Sequence, residues 1–367
     1  MNLELTDEQT MLQEAAGQAL DRQDTVSAAR EARDGAEPLD LWPTAREAGW
    51  SGLLVSEEHG GAGLGVLDAM LVMEECGKRL GGSGLLGHLP ATLVLSRAAA
   101  AGDEAAAQLL PDLAGGARRA ALVHAETAIF EGQPLSGEAE HVPDLDGADV
   151  IVLAIAGDDG PRAALVEAGG AGVDVERQIR GDASRPLGKL RLDHVGLEEM
   201  SGVAIEAGPR ALAEAWYCAQ AMLAADALGV SEAMLEMSVA YAQDRHTFGR
   251  PIGSYQAVKH QLVEILRRID RVRSLCTYVG LTVESQPEEL PMAASAARFA
   301  AEESSDYATR TCIAVHGGIG ATWEHDAPYY WRRSQLSRLL LGGRAGAGDR
   351  IAAEAIASVV PVEPAAA

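Results

Sequence analysis

The spacing of hydrophobic residues divides the chain into parts with different periodicities. In the first part, "MLQEAAGQAL" and "LGVLDAMLVMEECGKRL" have apolar residues at helical spacing. Thr6 followed by Gln9 is a capping-box pattern for the first helix. Residues 119–205 instead contain short β-like runs such as "DVIVLAI" and "LGKLRLDHV", separated by Gly, Asp and Pro clusters. We therefore expect a helical domain at 1–118 and a small β domain at 119–205.

After residue 206 the helical pattern returns. "ALAEAWYCAQAMLAADALGVSEAMLEMSVAYAQDR" predicts one long helix. A stripe from Val258 to Val272 predicts a second helix with an apolar face. A third helix leads to "HGGIG", where Gly317 and Gly318 suit a left-handed helix C-terminus. The pattern predicts an antiparallel four-helix bundle over 206–360, and a mostly helical α+β fold for the whole chain.

The segment "RHTFGRPIGSYQAVKHQL" interrupts the helical pattern. Gly249, Pro251 and Gly253 predict a turn, and Ser254 is a residue type that caps helix N-termini. One interpretation is an ordinary connection between helices with some surface charge. The other is an anion site, because Arg245 and the free N–H groups of a helix start suit a phosphate.

Composition narrows the classes of partner. The chain has 54 acidic and 30 basic residues, a formal net charge of −24, so we expect neither nucleic acid nor a membrane surface as a partner. The start "MNLELTDEQTML" shows no signal-peptide pattern, and four widely spaced cysteines indicate free thiols in a reducing compartment. We therefore expect a cytoplasmic protein. The histidines form no metal-binding motif such as HExxH, so we expect no metal site.

The order of the domains, together with "EEHGGAGLGVLDAMLVMEECGKRL", "DRHTFGRPIGSYQAVKHQL" and "AVHGGIGATWEHDAPYYWRR", resembles the acyl-CoA dehydrogenase family. The resemblance covers nearly the whole chain and is weakest at 119–205. It implies an FAD-dependent oxidation of an acyl-CoA thioester between Cα and Cβ, with an acceptor similar to an electron-transfer flavoprotein. It also implies a tetramer in which FAD lies between subunits.

In that family, one subunit offers the end of its helix bundle to the flavin of a neighbouring chain. The residues of this sequence that match this cofactor clamp are Arg245, Thr247, Phe248, Gln256, Gly317 and Gly318. A guanidinium and backbone N–H groups suit the FAD diphosphate, and glycine permits close approach.

The family reaction also needs a carboxylate base, which occupies one of two family positions. In this sequence those positions are Ala219 and Leu341, and neither is acidic. Other acids on or near these segments are Asp226, Glu214 and Glu324, and we expect each to be a surface or paired residue. Pro143 also stands where the family places a flavin-contacting Thr or Ser, and proline has no N–H to donate.

Some family members, notably in actinobacterial steroid side-chain degradation, are α2β2 heterotetramers in which one subunit lacks the base. This chain resembles that subunit, which implies a catalytic partner chain. Two alternatives remain open at this stage. One is a self-sufficient homotetramer with a relocated base, for which Glu214 and Asp226 are the nearest acids. The other is a flavin-free binding or scaffold protein.

Overall fold

Helices form the N-terminal part of the protein, in a computed structural model that describes residues 4–178, 181–197 and 202–359. The predicted capping box is confirmed: the Gln9 N–H donates to Thr6 Oγ1 and the Thr6 N–H donates to Gln9 Oε1, both at 3.1 Å. The helices are α1 (Asp7–Asp21), α2 (Thr25–Arg33), α3 (Trp42–Glu47), α4 (Val66–Lys78), α5 (Leu85–Ala100) and α6 (Glu104–Ala114).

Two packed sheets form the middle of the chain. The strands are β1 (Ala120–Val123), β2 (Leu135–Pro143), β3 (Val150–Ile155), β4 (Arg162–Glu167), β5 (Val173–Gln178), β6 (Leu187–Val195) and β7 (Gly202–Ile205). One sheet has the order β1-β3-β4-β7 and the other β2-β6-β5. β1 and β3 are parallel, and the other pairs are antiparallel. A shared apolar core, including Phe130 and Leu190, fills the space between the sheets.

Long helices form the C-terminal part. They are α7 (Pro209–Asp244), α8 (Gln256–Ser285), α9 (Leu290–His316), α10 (Ala327–Ser337) and α11 (Gly343–Val359), and a short hairpin of β8 (His246–Thr247) and β9 (Arg250–Pro251) joins α7 to α8. The four longest, α7, α8, α9 and α11, pack together as predicted, and α10 packs against α9. The predicted stripe on α8 buries Ile265, Ile269 and Val272, but Leu266 is exposed.

The helices α4 and α7 cross in backbone contact. A Cβ atom added to Gly77 would lie 1.9 Å from the Asp226 carbonyl oxygen, and one added to Gly229 would lie 1.9 Å from the Glu74 carbonyl oxygen. No side chain fits at either position. The two glycines therefore set the distance between the N-terminal helices and the C-terminal bundle.

A buried arginine joins all three parts of the chain. Arg333, on α10, donates from Nε to Asp182 Oδ2 at 2.7 Å and from Nη1 to Asp226 Oδ1 at 2.8 Å. Its guanidinium also donates to the Gly81 carbonyl and to Ser184 Oγ. Asp182 and Ser184 belong to the β part, Gly81 follows α4, and Asp226 lies on α7. Because these groups are buried, each depends on the others for its hydrogen bonds.

Several details of the predicted elements are wrong. Ser254 does not cap α8: its hydroxyl donates to the Pro251 carbonyl, and the helix begins at Gln256 after Tyr255. Only Gly317 has a positive φ, of 68°, whereas Gly318 has a helical φ of −54°. The sequence patterns also did not identify β2, β5 or β7.

All four cysteines are buried and unpaired, and burial raises the pKa of each thiol: Cys76, Cys218, Cys276 and Cys312. Among the described residues, no helix is long and apolar enough to span a bilayer.

Candidate functional site

The residues of the predicted cofactor clamp lie at one end of the helix bundle. α7 and α9 run in the same direction because each is joined to α8 by a short connection and packs against it. Their C-terminal ends therefore meet, and the Tyr241 ring on α7 stacks on the His316 ring on α9 at 4.2 Å. This contact brings the hairpin after α7 and the glycine turn after α9 to the same end as the start of α8.

The hairpin presents its tip to solvent. The helix ends because Arg245 leaves helical geometry, with φ −77° and ψ 118°. Phe248, with φ 51°, and Gly249, with φ 81°, then make the reversal between β8 and β9. Phe248 is 94% exposed, so the hairpin presents an aromatic ring to solvent.

All six clamp residues are exposed: Arg245, Thr247, Phe248, Gln256, Gly317 and Gly318. Within the described part of the chain, the Arg245 guanidinium has neither a hydrogen bond nor an ion pair. Open space surrounds Gly317 and Gly318, since a Cβ atom on either would meet no atom within 4 Å. An unpaired guanidinium beside an open glycine turn fits the diphosphate of FAD.

The two family positions for the base are close together in the structure, although they are far apart in the sequence. Ala219 is buried on α7, and Leu341 lies in the turn before α11 with φ 51°. The neighbour of Ala219, Gln220, donates from Nε2 to the Leu341 carbonyl at 3.0 Å. Neither position carries a carboxylate, so this pair of positions cannot take up a proton.

The alternative acids from the sequence make ion pairs or hydrogen bonds away from the base positions. Asp226 is buried and accepts ion pairs from Arg185 at 2.7 Å and Arg333 at 2.8 Å. Glu214 forms a two-pronged pair with an arginine of α5, and Glu324 is exposed beside Thr322, whose hydrogen bond lowers the pKa of the carboxyl. None of the three acids lines the cavity beside Leu341.

That cavity, of about 500 Å³, lies where the β sheets meet the turn before α11. Pro143 and Leu341, both identified from the sequence, line it together with His124 and Glu140, which the sequence reasoning missed. His124 follows β1 directly, and a polar residue at the end of a buried strand could have indicated it. Glu140 is exposed, and its Oε1 lies 3.2 Å from Lys189 Nζ.

His124 is a buried, uncharged histidine. Burial lowers the pKa of its imidazole to about 3, so the ring is neutral near pH 7. Its ring lies edge-on to Trp216 with the centroids 5.2 Å apart. Pro143 has no N–H to donate and Leu341 has no carboxylate, so neither of these two residues can make the contact that the family resemblance implies at its position.

Comparison with known proteins agrees with the domain order. Residues 6–117 match the model of the acyl-CoA dehydrogenase N-terminal domain, and residues 207–356 match that of the C-terminal domain. The acyl-CoA dehydrogenase IpdE2 of Mycobacterium tuberculosis is 31% identical over 342 residues, which cover 91% of this chain and 93% of that protein.

Two similar solved structures are complexes. The ChsE4-ChsE5 complex from Mycobacterium tuberculosis contains a chain with 25% identity and a TM-score of 0.85, covering 99% of this chain and 100% of that one. The Tcur3481-Tcur3483 steroid ACAD contains one with 29% identity and a TM-score of 0.84, covering 95% and 99%. By domain models, sequence and fold together, this chain belongs to the acyl-CoA dehydrogenase family.

Proposed function

We propose that this chain is the non-catalytic subunit of a heterotetrameric acyl-CoA dehydrogenase and clamps FAD for a catalytic partner. One contrast carries the proposal. The exposed end of the bundle offers an unpaired Arg245 beside an open glycine turn, whereas Ala219 and Leu341 leave the base positions without a carboxylate.

The chain's own residues would bind and orient the cofactor. Arg245 would hold the diphosphate by charge-assisted hydrogen bonds, and Gln256 would add polar contacts at the start of α8. Gly317 and Gly318 would let the backbone approach, and Phe248 would cover apolar parts of the bound dinucleotide. When bound, FAD supplies the acceptor for the hydride that leaves the β-carbon of the acyl group.

Chemistry on the acyl-CoA would then depend on the partner chain. Removing the α-proton of a thioester requires a base within hydrogen-bond reach, and the partner would supply that carboxylate. The ChsE4-ChsE5 and Tcur3481-Tcur3483 structures support an assembly of two different chains. The steroid reference in the second name suggests a bulky acyl group as the substrate class. We further propose an electron acceptor similar to an electron-transfer flavoprotein.

A specific observation keeps a self-sufficient enzyme as the second candidate. Glu140 lines the cavity beside Leu341, although it is exposed and lies close to Lys189. If Glu140 were the base, the chain alone would hold flavin and oxidise acyl-CoA, and Glu140→Gln would abolish that activity. A flavin-free scaffold is the third possibility, and it predicts that Arg245→Ala changes nothing.

The test is a visible absorption spectrum of the purified chain, alone and after co-purification with an acyl-CoA dehydrogenase encoded beside it. We expect a colourless single chain and a yellow complex that an acyl-CoA bleaches. A yellow single chain bleached by acyl-CoA would support the self-sufficient enzyme instead. If the single chain is colourless and its presence does not increase the flavin content of the partner chain, the result would favour the scaffold.

A further inference from the structure

A second cavity, of about 760 Å³, lies between α1, α4, α7 and α8. This volume is within the range of small-molecule sites in proteins. Among the described residues, it shares no lining residue with the cavity beside Leu341. Arg273, on its α8 wall, lies about 25 Å along the helix from Gln256 of the clamp. Neither the clamp nor the base positions therefore account for this space.

The inner wall of this second cavity is apolar. It is formed by Met70 and Leu71 on α4 and by Ala225 and Leu228 on α7, all of them buried. Leu67, one turn earlier on α4, is half-buried and extends the same wall. A ligand that covers this wall would gain free energy by removing its own apolar surface from water.

The charged groups that line the second cavity are mostly acidic. The two bases are Arg79 and Arg273, and each already pairs with carboxylates. The acids outnumber them by six to two: Glu4, Glu14, Asp21, Glu74, Glu75 and Glu232. Such a lining attracts cations and repels anions.

Glu74 is the most buried of these acids, with a side chain that is 9% exposed. Its Oε1 lies 3.4 Å from Arg273 Nη2, a long contact, and Glu232 shares that guanidinium. Burial raises the pKa of the Glu74 carboxyl to about 7, because Arg273 compensates its charge only in part. An ammonium group in the cavity would complete the pairing of this carboxylate. The charged and polar groups around it are Arg273 and Cys276 on α8, Glu75 and Lys78 on α4, Glu232 on α7 and Gln13 on α1.

We propose that this second cavity binds an organic ammonium ion with an apolar body, the apolar part against α4 and α7 and the nitrogen at Glu74. The Glu74 carboxylate accepts a charge-assisted hydrogen bond from the ammonium group. A proton held by Glu74 leaves for the solvent when the ligand binds. The proposal does not rest on the proposed function, because Arg245 and the base positions lie outside this cavity. Arg245→Ala should therefore leave binding here unchanged.

The test uses the full chain and three probes that share an indole ring: tryptamine, a cation; tryptophol, which is uncharged; and indole-3-acetate, an anion. Isothermal titration calorimetry at pH 8 measures each affinity. We expect tryptamine to bind about 10- to 100-fold more tightly than tryptophol, the range for a hydrogen bond to a charged group. Indole-3-acetate should bind most weakly, because acids outnumber bases in the lining.

The affinity for tryptamine should depend on pH. With a pKa of about 7, Glu74 is mostly protonated at pH 6 and mostly ionised at pH 8, so the affinity should rise about tenfold between the two. At pH 7, about half a proton should be released for each tryptamine bound, because about half of the Glu74 carboxyls hold a proton there. Titrations in buffers of different ionisation enthalpy measure this release. The affinity for tryptophol should stay within about twofold over the same range, because no charge pairs with Glu74.

Variants assign both effects to Glu74. Glu74→Gln should weaken tryptamine binding at pH 8 at least about tenfold, abolish the proton release and leave tryptophol within about twofold. Glu14→Gln removes an exposed acid from the same cavity and should change the tryptamine affinity less than about threefold, since water and salt screen its charge. If Glu74→Gln does not fold, the proton release of the native chain still tests the proposal.

Four results would overturn the proposal. No binding of any probe would mean that the cavity holds only water. Equal affinities for tryptamine and tryptophol would remove the role of the ligand's charge. Tightest binding by indole-3-acetate would mean that the site prefers anions. Equal losses of tryptamine affinity in Glu74→Gln and Glu14→Gln would show a diffuse attraction of cations to an acidic surface instead of a site at Glu74.

Discussion

The proposed cofactor contact depends on single residues at the end of the bundle, above all on Arg245. In a chain with a net charge of −24, most described arginines have a carboxylate or an aromatic ring close by, whereas Arg245, like Arg22, Arg46 and Arg210, is exposed and unpaired. Of these four, Arg245 is the one at the proposed clamp. A group that stabilises nothing within its own chain is available for a ligand. A substitution of Arg245 should therefore change cofactor binding without changing the stability of the fold.

Arg245→Ala should weaken FAD binding by the complex of the two chains about 10- to 100-fold, the range for losing a charge-assisted hydrogen bond. The melting temperature of the chain alone should not change. Arg310→Ala, which removes another exposed arginine, should leave FAD binding unchanged. The measurement is flavin fluorescence on titration of the apo-complex, and equal effects of the two substitutions would argue against a clamp.

Glu74 is a second informative residue, on the buried side of α4. Burial raises the pKa of its carboxyl from 4.5 to about 7, although Arg273 lies 3.4 Å away and opposes the rise. The native state therefore binds this proton more tightly than the unfolded chain does, so this group's contribution to stability falls as the pH rises from about 4.5 to 7. A rise of this size corresponds to about 3 kcal/mol.

Glu74→Gln removes the titration but keeps the shape. We expect little change in the free energy of unfolding at pH 5 and a gain of about 2 kcal/mol at pH 8. The gain is smaller than the full effect of the pKa shift because the substitution also removes the contact with Arg273. Urea unfolding at the two pH values measures this. The exposed Glu58→Gln serves as the control, with no pH-dependent difference expected. A gain that is equal at both pH values would contradict the assignment.

At the scale of elements, the crossing of α4 and α7 depends on two glycines. Gly77→Ala would place a methyl group 1.9 Å from a carbonyl oxygen of α7, so the helices must separate. We expect a loss of at least about 2 kcal/mol in the free energy of unfolding, as for overpacked cores. Gly348→Ala in α11 has its nearest neighbour at 3.4 Å and should be neutral or stabilise by up to about 1 kcal/mol. Similar losses in both variants would show that the crossing tolerates separation.

Helical periodicity was a sufficient signal for α8, which buries one face, whereas α7 is buried all round from Cys218 to Ser231 and was predicted from its long apolar run. The strands β2 and β5 lacked a comparable signal. β2 pairs with β6 through two register shifts, which break its alternation, and β5, with the sequence "VDVERQ", has no fully buried residue. Ser254 does not cap α8 because its hydroxyl donates a hydrogen bond to the Pro251 carbonyl, in the turn before the helix begins.

The candidate site was only partly predictable from the sequence. The hairpin and the glycine turn are local motifs, so resemblance was enough to select Arg245 and Gly317. The meeting of Ala219 with Leu341 depends on packing between α7 and the turn before α11. His124 was missed because a single histidine in a strand-like segment has no spacing pattern, and its place directly after a buried strand was the signal that could have indicated it.

At the scale of the whole molecule, Arg333 fixes the relative positions of the three parts. Its guanidinium is fully buried and binds two carboxylates, Asp182 and Asp226. Removing the arginine leaves Asp182 buried without an ion pair among the described residues and leaves Asp226 with Arg185 alone, which costs more than the loss of a surface pair. The junction therefore ties the β sheets to the same bundle that carries the clamp.

Arg333→Leu should lower the free energy of unfolding by about 3–5 kcal/mol. Arg310→Leu, which breaks an exposed pair with Asp306, should cost less than about 1 kcal/mol. Urea denaturation followed by circular dichroism measures both. A small loss in Arg333→Leu would mean that water enters the junction and replaces the guanidinium.

The four buried thiols have a practical consequence for following assembly. Because their burial keeps them from reacting with maleimides, a cysteine introduced at exposed Gln261, about one turn beyond Gln256, would be the single labelled site. A dye there would sit beside the proposed clamp, where a flavin quenches nearby fluorophores. The native chain, with no cysteine removed, can thus carry an optical reporter for the arrival of the cofactor and of the partner subunit.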